Sequence, residues 1–118
     1  MLIDYSQIQN IFIVTGKTDM RRSIDGLAAI ITQKYDMNVF DDCVFLFCGG
    51  SKNKYKVLHW DGDGFLLLYK RLESGKIQWP RNEEEVRQIS QKQLRWLLEG
   101  LSINQPKAIQ KASPSYVC

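Results

Sequence analysis

The sequence contains little of what catalytic, secreted and membrane proteins commonly depend on. It has one histidine and three cysteines in 118 residues. The cysteines lack both the paired spacing of a zinc site and the density of a secreted disulfide scaffold. The first sixteen residues have no basic segment and no long apolar run, which predicts neither a signal peptide nor a membrane span. We therefore expect a reduced, bacterial-type cytoplasmic protein without a metal or cofactor.

Charge is also modest, because 16 basic residues face 13 acidic ones and leave a net charge of +3. Such a value permits nucleic-acid binding without requiring it. The excess is concentrated in residues 51–82, which carry seven basic and three acidic groups. A hydrophobic content of 44% and a length of 118 residues predict one globular domain.

The apolar patterns predict an α+β domain with a mainly antiparallel meander sheet and two principal helices. The run 11–14 predicts a buried strand, and an apolar stripe from Met20 to Ile31 predicts a helix with Thr18 as N-cap. Four further runs separated by turn residues predict a four-stranded meander: CVFLFC, KYKVLHW, FLLLYKRL and KIQW. The stretch FLLLY is apolar on both faces, so we expect a central strand.

The last third of the chain predicts a short edge strand over 86–89 and a second helix. Ser90 and Gln93 form the sequence pattern of a capping box, and Gly100 helps to end the helix. We expect a single domain over residues 1–104 and a flexible tail over 105–118.

Three short patterns resemble a phosphate-binding loop, a metal site or a catalytic histidine, but a structural role explains each of them better. TGKT at 15–18 lacks the upstream glycine of a phosphate-binding loop, since Ile11 stands there. WDGDG at 60–64 could supply metal ligands at Asp61 and Asp63, but a tight hairpin turn explains it better. His59 lies in an apolar strand with no partner evident in the sequence, which favours packing over catalysis.

Basic residues offer the more informative pattern. Lys17, Arg21 and Arg22 crowd the predicted start of the first helix, and Lys54 and Lys56 project from one face of the meander because strand side chains alternate. Such groups, interleaved with aromatic residues, could follow a nucleic-acid backbone. Pairing with neighbouring carboxylates, or a solvated sheet edge, is the alternative explanation.

Three long blocks resemble a known family. They are TDMRRSIDGLAAII (18–31), FLFCGGSKNKYKVLHWDGDGFLLLYKRLESGKIQWP (45–80) and QLRWLLEGLS (93–102). Together they resemble the small accessory protein, often called TnpB, encoded by the second open reading frame of insertion sequence 66 transposons. The resemblance covers roughly residues 9–103; Ser23 departs from it, where a glycine is expected, and the segment after Asn104 has no counterpart.

The resemblance implies a bacterial mobile-element protein that works beside a separate, larger transposase and is not itself an enzyme. We expect it to bind the phosphate backbone of the element's DNA ends through Lys17, Arg21, Arg22, Lys54, Lys56, Lys70 and Arg71. One alternative is a module that binds the transposase or a second copy through Trp60, Tyr69 and Trp79. A further alternative is a metal-dependent nuclease centred on Asp61 and Asp63. No membrane or small-molecule substrate is expected.

Overall fold

A five-stranded mixed sheet organises the protein. The computed structural model describes residues 7–8 and 10–106. The strands are β1 (Asn10–Val14), β2 (Cys43–Cys48), β3 (Lys54–Trp60), β4 (Phe65–Arg71) and β5 (Val86–Ile89), in the spatial order β4-β3-β2-β1-β5. Helix α1 (Ile24–Ala29), which continues as a π-helical turn over Ile30–Lys34, precedes β2, and helix α2 (Gln91–Leu98) follows β5.

Three of the four strand pairs are antiparallel. β2, β3 and β4 form a meander, and β5 runs antiparallel to β1. The exception is the parallel pair β1 and β2. A parallel pair needs a long connection, and residues 15–42 supply one that includes α1. The α+β class and the mainly antiparallel sheet are therefore confirmed, whereas the meander has three strands rather than four.

The core consists of two layers, one on each side of the sheet. All six residues of β2 are buried, and they alternate between the layers. The α1 face holds Phe45 and Leu58 together with Leu27 of the helix. The α2 face holds Leu46 and Val57 together with Leu94, Leu97, Ile77 and Trp79. Burying a large apolar side chain contributes roughly 1.5 to 3 kcal/mol, so β2 is the apolar centre of the fold.

Two predictions about the meander are wrong. β4 is an edge strand, not a central one. Its side chains are apolar on both faces because Leu66 and Leu68 pack on the α2 face while Phe65 and Leu67 pack on the α1 face. A strand can therefore be covered on both faces without having a hydrogen-bonded neighbour on both edges.

The fourth predicted strand, KIQW, is an irregular segment whose Ile77 and Trp79 pack on the α2 face of the sheet. The Ile77 amide donates to Lys52 O, and the Trp79 indole N–H donates to Val14 O at 3.0 Å. Both side chains are buried in the core. The apolar pattern of this segment therefore reflects packing onto the sheet rather than pairing within it.

Helix α1 begins later than predicted. Its N-cap is Ser23, while Thr18 is buried and its amide donates to Cys48 O at 2.8 Å. The Arg21 amide and guanidinium both donate to the Asp19 carboxylate. A side chain that bonds the backbone locally in this way competes with helix formation, so residues 15–22 form a loop.

Helix α2 and strand β5 follow the sequence prediction. The Ser90 hydroxyl accepts from the Gln93 amide, and the Gln93 side chain accepts from the Ser90 amide, which completes the capping box. Gly100 has a φ of +83°, a conformation that favours glycine after a helix. Most of the predicted tail, residues 107–118, lies outside the described residues.

Candidate nucleic-acid interface

Strand register determines which basic side chains share a surface. Lys54 and Lys56 point to the α1 face, where Lys54 lies opposite Arg71 and Lys56 opposite Tyr69 of β4. Lys70 pairs with Tyr55 and therefore projects from the α2 face. The sheet thus separates Lys70 from the other predicted basic residues of the meander.

Lys56 connects the sheet to the loop before α1. Its side chain is only 8% exposed, and its Nζ donates to Arg22 O at 2.7 Å. The same ammonium lies 5.3 Å from the centre of the Tyr69 ring, a distance at which a cation is attracted to an aromatic face. These contacts place Arg22 beside β3.

Lys17 approaches the same surface from the loop. A groove of about 400 Å³ lies between the loop and the β2–β3 turn, with Lys17 and Lys54 both in its lining alongside Gly49, Gly50 and Ser51. A second depression of about 180 Å³ is lined by Lys17, Arg22 and Lys34, and its wall also contains the carboxylates of Asp19 and Glu84. We call Lys17, Arg22, Lys54 and Lys56 the basic face.

Carboxylates neutralise some neighbouring cations. Asp19 pairs with Arg21 at 2.9 Å, Glu73 with Arg71 at 2.8 Å and Glu84 with Lys34 at 2.8 Å. The Arg21 side chain, hydrogen-bonded to the carboxylate, lowers the pKa of Asp19 to about 2. Among the described residues, no carboxylate forms an ion pair with a member of the basic face. Lys17 and Lys54 are therefore the cations most open to an external anion, since the charge of Arg22 also acts on Asp19 and adds to the larger effect of Arg21 in lowering the pKa of that carboxyl.

The three aromatic residues predicted for a protein interface lie in different environments. Trp79 is 4% exposed and belongs to the core, so it offers no surface to a partner. Tyr69 is 55% exposed at the Lys56 end of the sheet. Trp60 is half-buried at the opposite end and contacts Phe40 and Phe65. The three residues do not form one surface.

The WDGDG segment forms the predicted tight turn between β3 and β4. The Asp61 amide donates to Gly64 O, and Gly62 has a φ of +104°. A hydrogen bond with the Asp63 side chain lowers the pKa of Asp61. Within residues 7–8 and 10–106, no group of three or more His, Cys, Asp or Glu side chains is placed to hold a metal ion.

The histidine and the two described cysteines occupy structural positions. His59 Nδ1 lies 2.9 Å from Cys43 O. Cys43 and Cys48 are buried on opposite faces of β2, because side chains five residues apart on a strand point to opposite sides. Burial raises the pKa of each thiol to about 11. A protonated, buried thiol is a poor nucleophile.

Sequence reasoning missed the contacts of Phe40 and the anchoring role of Lys56. Phe40 meets Trp60 because β2 and β3 pair with Val44 opposite His59, which is long-range information. The local signal for Lys56 is its place next to the apolar pair Val57 and Leu58 in a predicted strand, where a lysine needs a polar partner for its ammonium.

Comparisons with known proteins give a consistent result. The model of the IS66 Orf2-like protein family matches residues 9–108. A Sinorhizobium fredii protein named uncharacterized protein y4hO is 35% identical over 106 residues, covering 90% of this chain and 92% of its own. A second protein of that bacterium, uncharacterized protein y4jC, is 27% identical and covers 98% and 99% of the two chains.

No solved structure shows significant similarity to the chain. No helix in the described part of the chain has the length and hydrophobicity needed to cross a membrane.

Proposed function

Because the chain belongs to the IS66 Orf2-like family of transposon-associated accessory proteins, we propose that its basic face binds the phosphate backbone of the element's DNA ends. Strand-transfer catalysis is assigned to a separate transposase, and no catalytic residue is assigned to this chain. The observation that carries the proposal is the convergence of Lys17, Arg22 and Lys54 on one surface, where none of them forms an ion pair within the described residues although Asp19 lies in both linings.

The geometry suits a backbone ligand. Lys17 lines both the groove that contains Lys54 and the depression that contains Arg22, so the cations lie along a path of two adjoining depressions. A phosphate chain can accept contacts from successive cations along such a path, and each contact releases condensed counterions. The Lys56 ammonium donates a hydrogen bond to Arg22 O and so holds the backbone of Arg22 beside β3. Arg21 and Arg71 lie nearby but already have carboxylate partners.

The test measures binding to a labelled DNA duplex that carries the element's end. Fluorescence anisotropy gives the affinity at salt concentrations between about 50 and 200 mM. We expect Lys54→Ala to weaken binding and to reduce the slope of log K against log salt by about one. Lys70→Ala is the matched control, because it removes the same charge from the opposite face of the sheet. It should change neither quantity.

Two results would defeat the proposal. Negligible binding across the salt range by the folded protein would remove DNA as the ligand of this chain alone. Equal losses for Lys54→Ala and Lys70→Ala would show that binding depends on overall charge rather than on the basic face. An unrelated duplex of equal length shows whether the element's sequence matters.

A further inference from the structure

An exposed aromatic cluster lies at the far end of the sheet from the basic face. Phe40, Trp60 and Phe65 contact one another with ring centres 5.0 to 5.6 Å apart, and we call them the aromatic trio. Phe40 is 57% exposed, and the other two are half-buried. Because β3 runs from Lys54 to Trp60, the trio and the basic face are separated by roughly 20 Å along the strand.

Four carboxylates lie next to members of the trio in the chain. Asp41 and Asp42 follow Phe40 directly, while Asp61 and Asp63 form the turn between Trp60 and Phe65. All four are exposed, and none forms an ion pair within the described residues. Besides burial, the charges of Asp41 and Asp42 contribute to the raised pKa of Cys43. This end of the molecule is therefore acidic and would repel DNA.

The chemistry of the surface favours a guanidinium group. Aromatic faces attract cations, and arginine can stack on a ring while its remaining N–H groups reach carboxylates. Trp60 is half-buried, and its indole N–H is a donor for which a peptide carbonyl would be an acceptor. We propose that the aromatic trio and its four aspartates form a docking site for an arginine-bearing segment of a partner protein.

This site is independent of the basic face. DNA and the partner segment would occupy opposite ends of the same sheet, so both can be bound at once. The protein would then connect an anionic ligand at one end to a cationic segment at the other. Failure of either activity leaves the other testable.

The experiment measures binding of short labelled peptides to the full chain by anisotropy. One peptide contains arginines separated by glycine and serine, and the second has lysine in place of each arginine. We expect the arginine peptide to bind severalfold more tightly than the lysine peptide, because lysine keeps the charge but loses the planar stacking group. Equal affinities would overturn the proposal, since charge alone would then explain the binding.

Substitutions locate the site. Phe40→Ala should weaken binding of the arginine peptide about fivefold, within the range of a cation–aromatic contact. Tyr69→Ala is the matched control, because Tyr69 is 55% exposed on the same sheet face but lies at the other end. Loss of affinity in both variants, or in neither, would overturn the assignment. Asp41→Asn combined with Asp42→Asn should also weaken binding and flatten its dependence on salt.

Two further measurements separate this proposal from its competitors. DNA binding by Phe40→Ala should equal that of the unmodified protein, and circular dichroism shows independently that the variant is folded. Sedimentation velocity tests whether the trio instead binds the basic face of a second copy. Concentration-dependent oligomers that dissociate on Phe40→Ala would identify a second copy as the occupant and overturn the partner-segment assignment.

Discussion

The ammonium group of Lys56 lies 2.7 Å from the backbone carbonyl oxygen of Arg22, and this hydrogen bond joins β3 to the loop before α1. Lys56→Met keeps most of the apolar side chain but leaves that carbonyl without its donor. We expect the free energy of unfolding to fall by about 2 kcal/mol, in the range for hydrogen bonds to charged groups. Urea denaturation measures it. Lys54→Met, which removes no such bond, should change stability by less than about 0.5 kcal/mol.

Trp79 gives a second stability prediction. Trp79→Ala should cost about 3 to 5 kcal/mol, because it empties a buried site and removes the donor to Val14 O. Trp60→Ala should cost clearly less, since Trp60 is only half-buried. Thermal and urea denaturation of the two variants provide the comparison. An equal loss of unfolding free energy in the two variants would contradict the finding that Trp79 is buried while Trp60 is only half-buried.

Thiol reactivity provides a test of burial in β2. With the pKa of Cys43 and Cys48 raised to about 11, the thiolate fraction at pH 8 is about one in a thousand. We expect iodoacetamide to label neither thiol in the folded protein and both in urea, as read by mass spectrometry of Cys118→Ser, which removes the third thiol. Labelling of the folded protein at the unfolded rate would contradict the structure.

The same thiols predict the direction of a pH effect. A raised pKa means that the fold disfavours the thiolate, so their contribution to stability is complete below the ordinary value of 9.0 and is lost as the pH rises towards 11. Unfolding measured at increasing pH should show this decline. A Cys43→Ala and Cys48→Ala double variant should show less of it.

The capping box of α2 can be tested with two substitutions at one position. Ser90→Ala removes the acceptor for the Gln93 amide and should destabilise the protein by about 1 kcal/mol. Ser90→Gly should cost only a few tenths of a kcal/mol, because glycine lets water reach the free amides. If both substitutions change the free energy of unfolding by less than a few tenths of a kcal/mol in urea denaturation, the cap hydrogen bond contributes little.

Local features of the chain could be predicted well. Ser90 and Gln93 lie three residues apart, and the alternation of Lys54 and Lys56 follows directly from strand geometry. The predicted start of α1 was wrong, although the reason for the later start is local. The Asp19 carboxylate accepts a hydrogen bond from the Arg21 amide and keeps the preceding loop out of the helix. An aspartate is as compatible with a first helical turn as with such a loop.

The remaining features depend on contacts between distant residues. The position of β4 at the edge follows from the order of all five strands, and the placement of Trp79 depends on a hydrogen bond to Val14, 65 residues away. The candidate site shows the same limit. The sequence identified Lys17, Arg22 and Lys54, but only the sheet register shows that Lys70 faces away from them.

The position of β1 between β2 and β5 also governs how the chain can fold during synthesis. One edge of β1 has no strand to pair with until residues 86–89 have been made, although β1 precedes the other four strands in the chain. A product that stops before β5 would carry an open strand edge of the kind that promotes aggregation. This side of the sheet can therefore close only after all of β5 has emerged from the ribosome.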